Sequence, residues 1–348
     1  MDVTITRCRR DDVDELVRFI DAHWARGHAL VASRRLLDWQ HRTTDGGYSF
    51  TLARRGREIV GMLGFISTRR FDPALERDNV VWLTMWTIRD DANVAGLGLA
   101  LLRNLAAQEP HVAIGAVGLN PETRPIYQAL GYNVGELQHY VMPNVRLTRF
   151  ELASFASVAQ PRDSDVASAP LTRRSLDDPR AFDRLDGARL LRSAGEIPQK
   201  TVRYFHDRYV AHPVYSYRVI GLFDREMLAG LVAARVAEHG GRRAVRIVDF
   251  LGRTETVAHI GRVARALIDE TDAEYADVYN TGIDESAFRA AGFRRVDPDG
   301  ADIVPDHFEP FERRNVRLWY AIDSECRPIL FKGDADQDRP NLVANEQR

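Results

Sequence analysis

Between Trp86 and Gly98 the chain reads Trp-Thr-Ile-Arg-Asp-Asp-Ala-Asn-Val-Ala-Gly-Leu-Gly, and an apolar helical stretch follows at once. A strand that runs through a glycine turn into a helix aims the turn's free N–H groups, and the positive end of the helix dipole, at one point. That arrangement cradles a pyrophosphate. Gly96 and Gly98 allow positive φ and close backbone approach. The candidate phosphate binder is therefore the loop Asn93, Val94, Ala95, Gly96, Leu97 and Gly98. Further on, Val117-Gly118-Leu119-Asn120 ends a second strand. Pro121 to Tyr132 then reads as a short helix that contains Tyr127 and stops at Gly131.

Two other segments bear on chemistry. His23-Trp24-Ala25-Arg26-Gly27-His28 and Trp39-Gln40-His41 are rich in indole and imidazole groups, which suit stacking on a sugar or a nucleotide. The same residues serve equally well as core tryptophans of two amphipathic helices. Near the end, Phe331 to Asn341 alternates acids as a calcium loop does. It lacks the terminal glutamate and flanking helices of an EF-hand, so no metal is expected.

The glycine loop, Asn120 and the Ile126-Tyr127…Leu130-Gly131-Tyr132 helix together resemble the GNAT superfamily of acyl-CoA-dependent N-acyltransferases. In that superfamily the loop is usually (Q/R)-x-x-G-x-(G/A), followed by a strand ending in Asn and a helix reading LY…LGF. The resemblance spans Val3 to Pro143 and departs at Asn93, where arginine or glutamine is usual. It implies acetyl-CoA as cosubstrate and a small-molecule amine as acceptor. It also implies that the strand ending at Ile88 splays from the one ending at Asn120. The pantetheine arm would then pair with backbone at Trp86 and Ile88, and Tyr127 would protonate the leaving thiolate. Trp24 and His28, between the first two helices, would border the acceptor. The strand Trp82 to Trp86 carries no acid, so His139 is the candidate base. Tandem arrangements of this kind in surface-polysaccharide pathways suggest a nucleotide-linked amino sugar as the acceptor; other small amines stay open.

These residues need a scaffold. Apolar spacing predicts strands at Val3–Arg7, Tyr48–Arg54, Glu58–Thr68, Val80–Ile88, Val112–Leu119 and Val134–Met142, the last closing the first sheet. Helices are expected at Asp11–Trp24, Leu30–His41, Leu99–Ala107 and Glu122–Leu130. The order β-α-α-β-β-β-α-β-α-β predicts an α/β fold, a mixed twisted sheet flanked by helices. Residues 1–150 form the catalytic unit, able in principle to fold alone, and the small polar stretch 151–170 a linker.

Residues 171–335 repeat the pattern coarsely. Strands are expected at Tyr217–Leu222, Leu228–Ala237, Val245–Leu251, Ala273–Asn280 and Val316–Ile322. Helices are expected near Pro179–Leu191, Gln199–Tyr209, Val257–Asp269 and Glu285–Ala291. The loop from Gly252 to Val257 lacks the G-x-G, and Phe288 stands where the tyrosine would be. This second GNAT-like unit is expected to be degenerate and not to bind CoA productively, with Asp249 or Arg253 as acceptor contacts. Residues 336–348 read as a polar tail that packs little.

Bulk properties bound the rest. A chain of 348 residues, 45% hydrophobic, suits two globular domains. A net charge of −2 argues against nucleic-acid binding and against aminoacyl transfer from a charged tRNA. The only lysines are Lys200 and Lys332; the arginine excess reads as genomic composition. Two cysteines, Cys8 and Cys326, offer no disulfide framework, which points to a reducing, cytoplasmic setting. No membrane span is expected, and a homodimer is admitted. A non-catalytic acyl-CoA-binding regulatory module is the alternative to an enzyme.

Overall fold

The computed structural model describes residues 2–92, 94–158, 171–176, 178–186, 190, 193 and 195–340. In the first half β1 (Val3–Cys8) precedes α1 (Val13–His23), α2 (Ala29–Ala32) and α3 (Arg34–His41). The helix expected over Leu30–His41 is two pieces. Ser33 is extended (φ −126°, ψ 100°), and its hydroxyl caps α3 by accepting from Leu36 N at 3.2 Å. Then come β2 (Tyr48–Arg55), β3 (Glu58–Ser67), β4 (Val80–Ile88), α4 (Leu97–Gln108), β5 (Ala113–Val117), α5 (Arg124–Ala129) and β6 (Asn133–Pro143).

The second half opens with β7 (Thr172–Ser175), which periodicity did not suggest, and β8 (Glu196–Ile197). A 3-10 stretch, Pro179–Arg184, stands in the described part of the expected first helix. α6 (Val202–Phe205) runs into a π-turn at His206–Val210. β9 (Arg218–Asp224), β10 (Met227–His239), β11 (Arg242–Gly252), α7 (Ile260–Thr271), β12 (Tyr275–Thr281) and α8 (Glu285–Ala290) follow the expected repeat. β13 (Arg294–Arg295), β14 (Leu318–Ile322), β15 (Arg327–Pro328) and β16 (Leu330–Phe331) complete the described chain.

One sheet runs through both halves in the order β1-β2-β3-β4-β5-β14-β6-β12-β11-β10-β9-β7. The expectation that β6 closes its own half beside β5 is corrected here. β5 pairs instead with β14, through Tyr320↔Val117 and Ala321↔Ala116. β6 gives its first residues to β14 (Leu318↔Leu137) and its last to β12 (Val278↔Tyr140). β14 of the second half thus lies between β5 and β6, and β6 of the first half joins β12. Ladder bonds satisfy backbone groups wherever two apolar edges meet, and strand periodicity does not say which two.

Helices cover both faces. On one face α1 to α3 and α6 pack over a core that includes Phe50, Trp82, Met85, Leu318, Ile322, Tyr204 and Tyr209. On the other, α4 and α5 cover Leu83, Ala116, Ala321 and Tyr127 in the first half. α7 and α8 cover Ile247, Val278 and Phe288 in the second. The linker and tail expectations also change. Leu152, Ala153 and Phe155 pack with Tyr275 and Val304, while 159–170 lie outside the described residues. Asp334, Asp336, Asp338 and Arg339 are buried, so the segment up to Pro340 packs inside the protein; 341–348 lie outside the described residues.

Candidate active site

β4 and β5 run parallel from Val80↔Ala113 to Leu83↔Ala116 and then part. β4 continues to Ile88, held by β3 alone through Leu63↔Trp86 and Gly61↔Ile88. Between Leu83 and Trp86 it bulges, setting two residues, Thr84 and Met85, against Gly64 of β3. The bulge puts Thr84 and Met85 on the α1–α3 face, where Gly64 abuts Thr84, and returns Trp86 to the α4–α5 face. Beyond Leu83, the β4 backbone groups that face β5 have no strand partner. They are free to pair with an amide-bearing chain laid into the gap.

The glycine loop stands at the outer end of this gap. Gly96 is the N-cap of α4 with φ +73°, and no atom lies within 4 Å of where its Cβ would be. Leu97 N donates to the Val94 carbonyl at 3.4 Å, which leaves the next N–H groups, of Gly98 and Leu99, for an anion. Gly98 lets the ring of Trp86 close on the helix start: a Cβ there would meet Trp86 Nε1 at 3.2 Å and push it back slightly. Val94 is exposed, and Leu97 is buried and anchors the helix start. Arg89, paired with Asp91 at 2.6 Å, and Arg55, bonded to the Ala92 carbonyl, hold the loop's approach. Asn93 lies outside the described residues.

Tyr127 sits across the gap on α5. It is buried and meets Trp86 edge-on at 6.0 Å and Tyr132 at 5.3 Å. Burial pushes its hydroxyl up to about 12, so it stays protonated at neutral pH. Asn120 is exposed and caps the turn that starts α5; its Oδ1 accepts from Glu122 N at 3.0 Å, which leaves the amide Nδ2 for a ligand.

The structure places four other expected residues differently. His139 lies on β6, two strands from β5, a distance of about 10 Å across the sheet. Its Nε2 is 2.9 Å from Asp277 and its ring stacks on Tyr279 at 3.9 Å. Asp277 also takes Arg246 at 2.5 Å, and Arg246 reaches Asp306, which Lys332 also contacts. His139 is part of a buried ionic cluster between the halves, not a base at the gap. His28 is buried too: Nδ1 accepts from Leu30 N at 3.2 Å as the cap of α2. Burial and the Arg339 charge lower it to about 3, so it is a neutral cap. Trp24 is 43% exposed and lines a surface pocket of about 380 Å³ with Asp21 and Arg26.

Asp249 is wholly buried and cannot touch an acceptor. It holds Lys200 Nζ at 2.5 Å, accepts from Tyr209 OH at 2.8 Å, and is raised by burial against the pull of Lys200. Lys200 also lies 2.7 Å from Asp334, tying down the C-terminal segment. The position is informative. Parallel pairing in the second half ends at Ile247↔Val278, and β11 bulges next against Ala233 and Ala234. Asp249 is thus the counterpart of Met85. The second half keeps an acid at the bulge that the first half lacks, but a lysine neutralises it. Its own gap is filled by the chain: β16 pairs with β12 through Asn280↔Phe331 and Thr281↔Leu330.

The C-terminal segment also supplies residues that periodicity did not single out. Gln337 lies over Gly118 at the end of β5, so close that a Cβ there would be 2.3 Å from its Cδ. Arg339 Nη2 donates to Gln40 Oε1 at 2.7 Å, and Gln40 meets His41 at 3.0 Å. A pocket of about 730 Å³ opens here, lined by Gly118, Asn120, Arg124, His307, Trp319 and Gln337 among others. No local signal marks these tail residues, because a run of alternating charges also describes a solvated tail.

The architecture is that of the GCN5-related N-acetyltransferases. A solved GCN5-related N-acetyltransferase from Anabaena variabilis superposes with TM-score 0.54 at 10% identity, covering 93% of this chain and 73% of that one. One from Kribbella flavida gives 0.54 at 12% identity, covering 93% and 72%. A conserved protein from Enterococcus faecalis described as a probable N-acyltransferase gives 0.53 at 10% identity, covering 93% and 73%. No family model and no curated protein sequence matches the chain. Among the described residues no helix is long and apolar enough to cross a membrane, and no cluster of His, Cys, Asp or Glu is arranged for a metal ion.

Proposed function

We propose that the chain is an acyl-CoA-dependent N-acyltransferase that uses acetyl-CoA and acts through its first half in the cytoplasm. The observation that carries this is the parting of β4 from β5 beyond Leu83↔Ala116, with the open Gly96 helix start at one end and Tyr127 against it. The free β4 backbone at Trp86 and Ile88 would pair with the pantetheine amides, and the loop from Val94 to Gly98 would hold the pyrophosphate. A backbone N–H at the bulge would support the thioester carbonyl oxygen as it gains charge.

The chemistry is amide formation. The amine nitrogen attacks the thioester carbonyl, the carbon–sulfur bond breaks, and Tyr127 gives its proton to the departing sulfur. The proton shed by the nitrogen returns to the phenolate through water. One amine and one thioester thus yield one amide and one thiol. No carboxylate on β4 serves as base, so the amine enters as its free base. Among amines, a nucleotide-linked amino sugar of surface-polysaccharide synthesis is one acceptor of this reading.

Calorimetry with acetyl-CoA and thiol release with a panel of amines, amino sugars included, test the proposal together. Binding with one site per chain and thiol release from at least one amine is expected. The absence of an acid at the Met85 position favours a second reading, a binding module; tight binding with no release from any amine would establish it. No binding at all would end both.

A further inference from the structure

We propose that the pocket at the end of β5 is the acceptor site, and that it takes a small amine carrying an anionic group, held by Arg124 and Gln337. This rests on the acyltransferase reading for the reaction, but the pocket's chemistry stands on its own residues. Gln337 is half-buried while its neighbours Asp336 and Asp338 are buried, so it is the side chain the tail presents to this pocket. Its Nε2 donates to Asp336 Oδ1 at 3.1 Å, which fixes the amide. Its Oε1 then points at Gly118, 2.5 Å from where a Cβ would be. Gly118 has φ +81° and no side chain, so nothing of β5 screens that oxygen. A fixed amide oxygen beside a strand end recognises an N–H donor.

Arg124 supplies the opposite character. Its guanidinium lies 4.0 Å from the Trp319 ring centroid, and its Nε donates to the Pro121 carbonyl at 2.9 Å. The other charges of the pocket are spoken for. Arg314 pairs with Glu312 at 2.7 Å, and Arg317 with Glu136 at 3.0 Å and with Asp299. Asp306 is held by Lys332 and by Arg246. Among the described residues no carboxylate lies within ion-pair reach of Arg124. A pre-oriented, unpaired guanidinium on an indole face recognises a carboxylate or phosphate. Arg124 and Tyr127 are three residues apart on α5, so they are neighbours on one helix face. An acceptor anchored on Arg124 is therefore held within a turn of Tyr127, which packs against Trp86 of β4. Trp319 comes from β14, so the site is complete only because the halves exchange strands.

Matched pairs of amines test this: glycine against glycinamide for the carboxylate, and glucosamine 6-phosphate against glucosamine for the phosphate. The full chain is titrated with each by calorimetry and assayed for thiol release with acetyl-CoA. The charged member of one pair should bind and react about tenfold or more better, and the pair that responds identifies the anion. Arg124→Gln should erase that preference, a loss of about tenfold to a hundredfold for a charge-assisted bond, and leave acetyl-CoA affinity unchanged. Gln337→Ala should raise the acceptor KM about tenfold, while Gln337→Asn restores it in part. Thiol release with no charge preference in either pair, or a preference that survives Arg124→Gln, would overturn the pocket and leave the acyltransferase standing. Arg124-dependent binding without thiol release would leave the pocket and remove the acyltransferase.

Discussion

Tyr127 and His139 were both candidates for moving a proton, and their surroundings separate them. Tyr127 is buried against Trp86 of β4, with a hydroxyl that burial keeps protonated. Tyr127→Phe keeps the ring packing and deletes the donor. The expected result is a kcat lowered by about 10² to 10⁴-fold with acetyl-CoA affinity unchanged; a kcat within twofold of wild type would reduce Tyr127 to a packing residue. His139 bonds Asp277 two strands away from β5, beneath the Tyr279 ring. His139→Ala should therefore lower stability by about 1–3 kcal/mol, the range for a broken buried hydrogen bond, and leave kcat nearly unchanged. Denaturant titration beside steady-state kinetics decides; a collapse of kcat in a fully stable variant would return His139 to the mechanism.

At the scale of elements, the loop and α4 work as one device. Gly96 needs its positive φ to turn the chain, and its open front leaves the helix start accessible. Gly96→Asp adds αL strain and a carboxylate where a pyrophosphate would sit. Acetyl-CoA affinity should fall at least tenfold, about 1.4 kcal/mol. Gly96→Ala meets no neighbour and carries only the backbone strain, so it should lose much less. Equal affinities for both variants and wild type by calorimetry would move the phosphate elsewhere. The second half shows the same device dismantled: no glycine loop, Phe288 for the tyrosine, and β16 lying against β12 in the gap.

For the whole molecule the strand exchange is decisive. A chain ending after Leu152 keeps the glycine loop and Tyr127 but loses β14 and β12, the partners of β5 and β6. It leaves β5 with a bare edge and loses the buried Leu318, Ala321 and Ile322. The truncated chain should aggregate or stay unfolded by circular dichroism and size-exclusion chromatography, and bind no acetyl-CoA; a folded monomer would refute the dependence. Acid should also undo the assembly. Burial first, then nearby arginines, lower His28 to about 3 and His212 to about 2, and hold His41 well below the ordinary range. Unfolded histidines take up protons near pH 6.5 while these do not. Their contribution is therefore whole above about pH 6.5 and shrinks as pH falls, by about 1.4 kcal/mol per histidine per pH unit. Tm should drop steadily from pH 6.5 to 5, before carboxylates titrate; a flat Tm would show these rings to be solvated.

What the sequence determined alone was local. The glycine turn, the α4 and α5 periodicities and the tyrosine on a strand-following helix depend on residues a few positions apart, and each appears where its spacing put it. The repeat of strands and helices in the second half was legible for the same reason. The tertiary structure decided which strand lies beside β5. β6 and β14 are both strands with an apolar face, and either satisfies that edge; the choice lies in contacts between residues far apart, such as Ile322↔Gly115. It also decided the fate of the charges. Lys200, Lys332, Asp249, Asp334 and Arg339 would be solvated in any isolated segment. They are buried because each finds its counter-charge or amide in a distant segment, as Lys200 does in Asp249 and Arg339 in Gln40. A buried ion is tolerated only when such a partner arrives, and only folding brings the partner there.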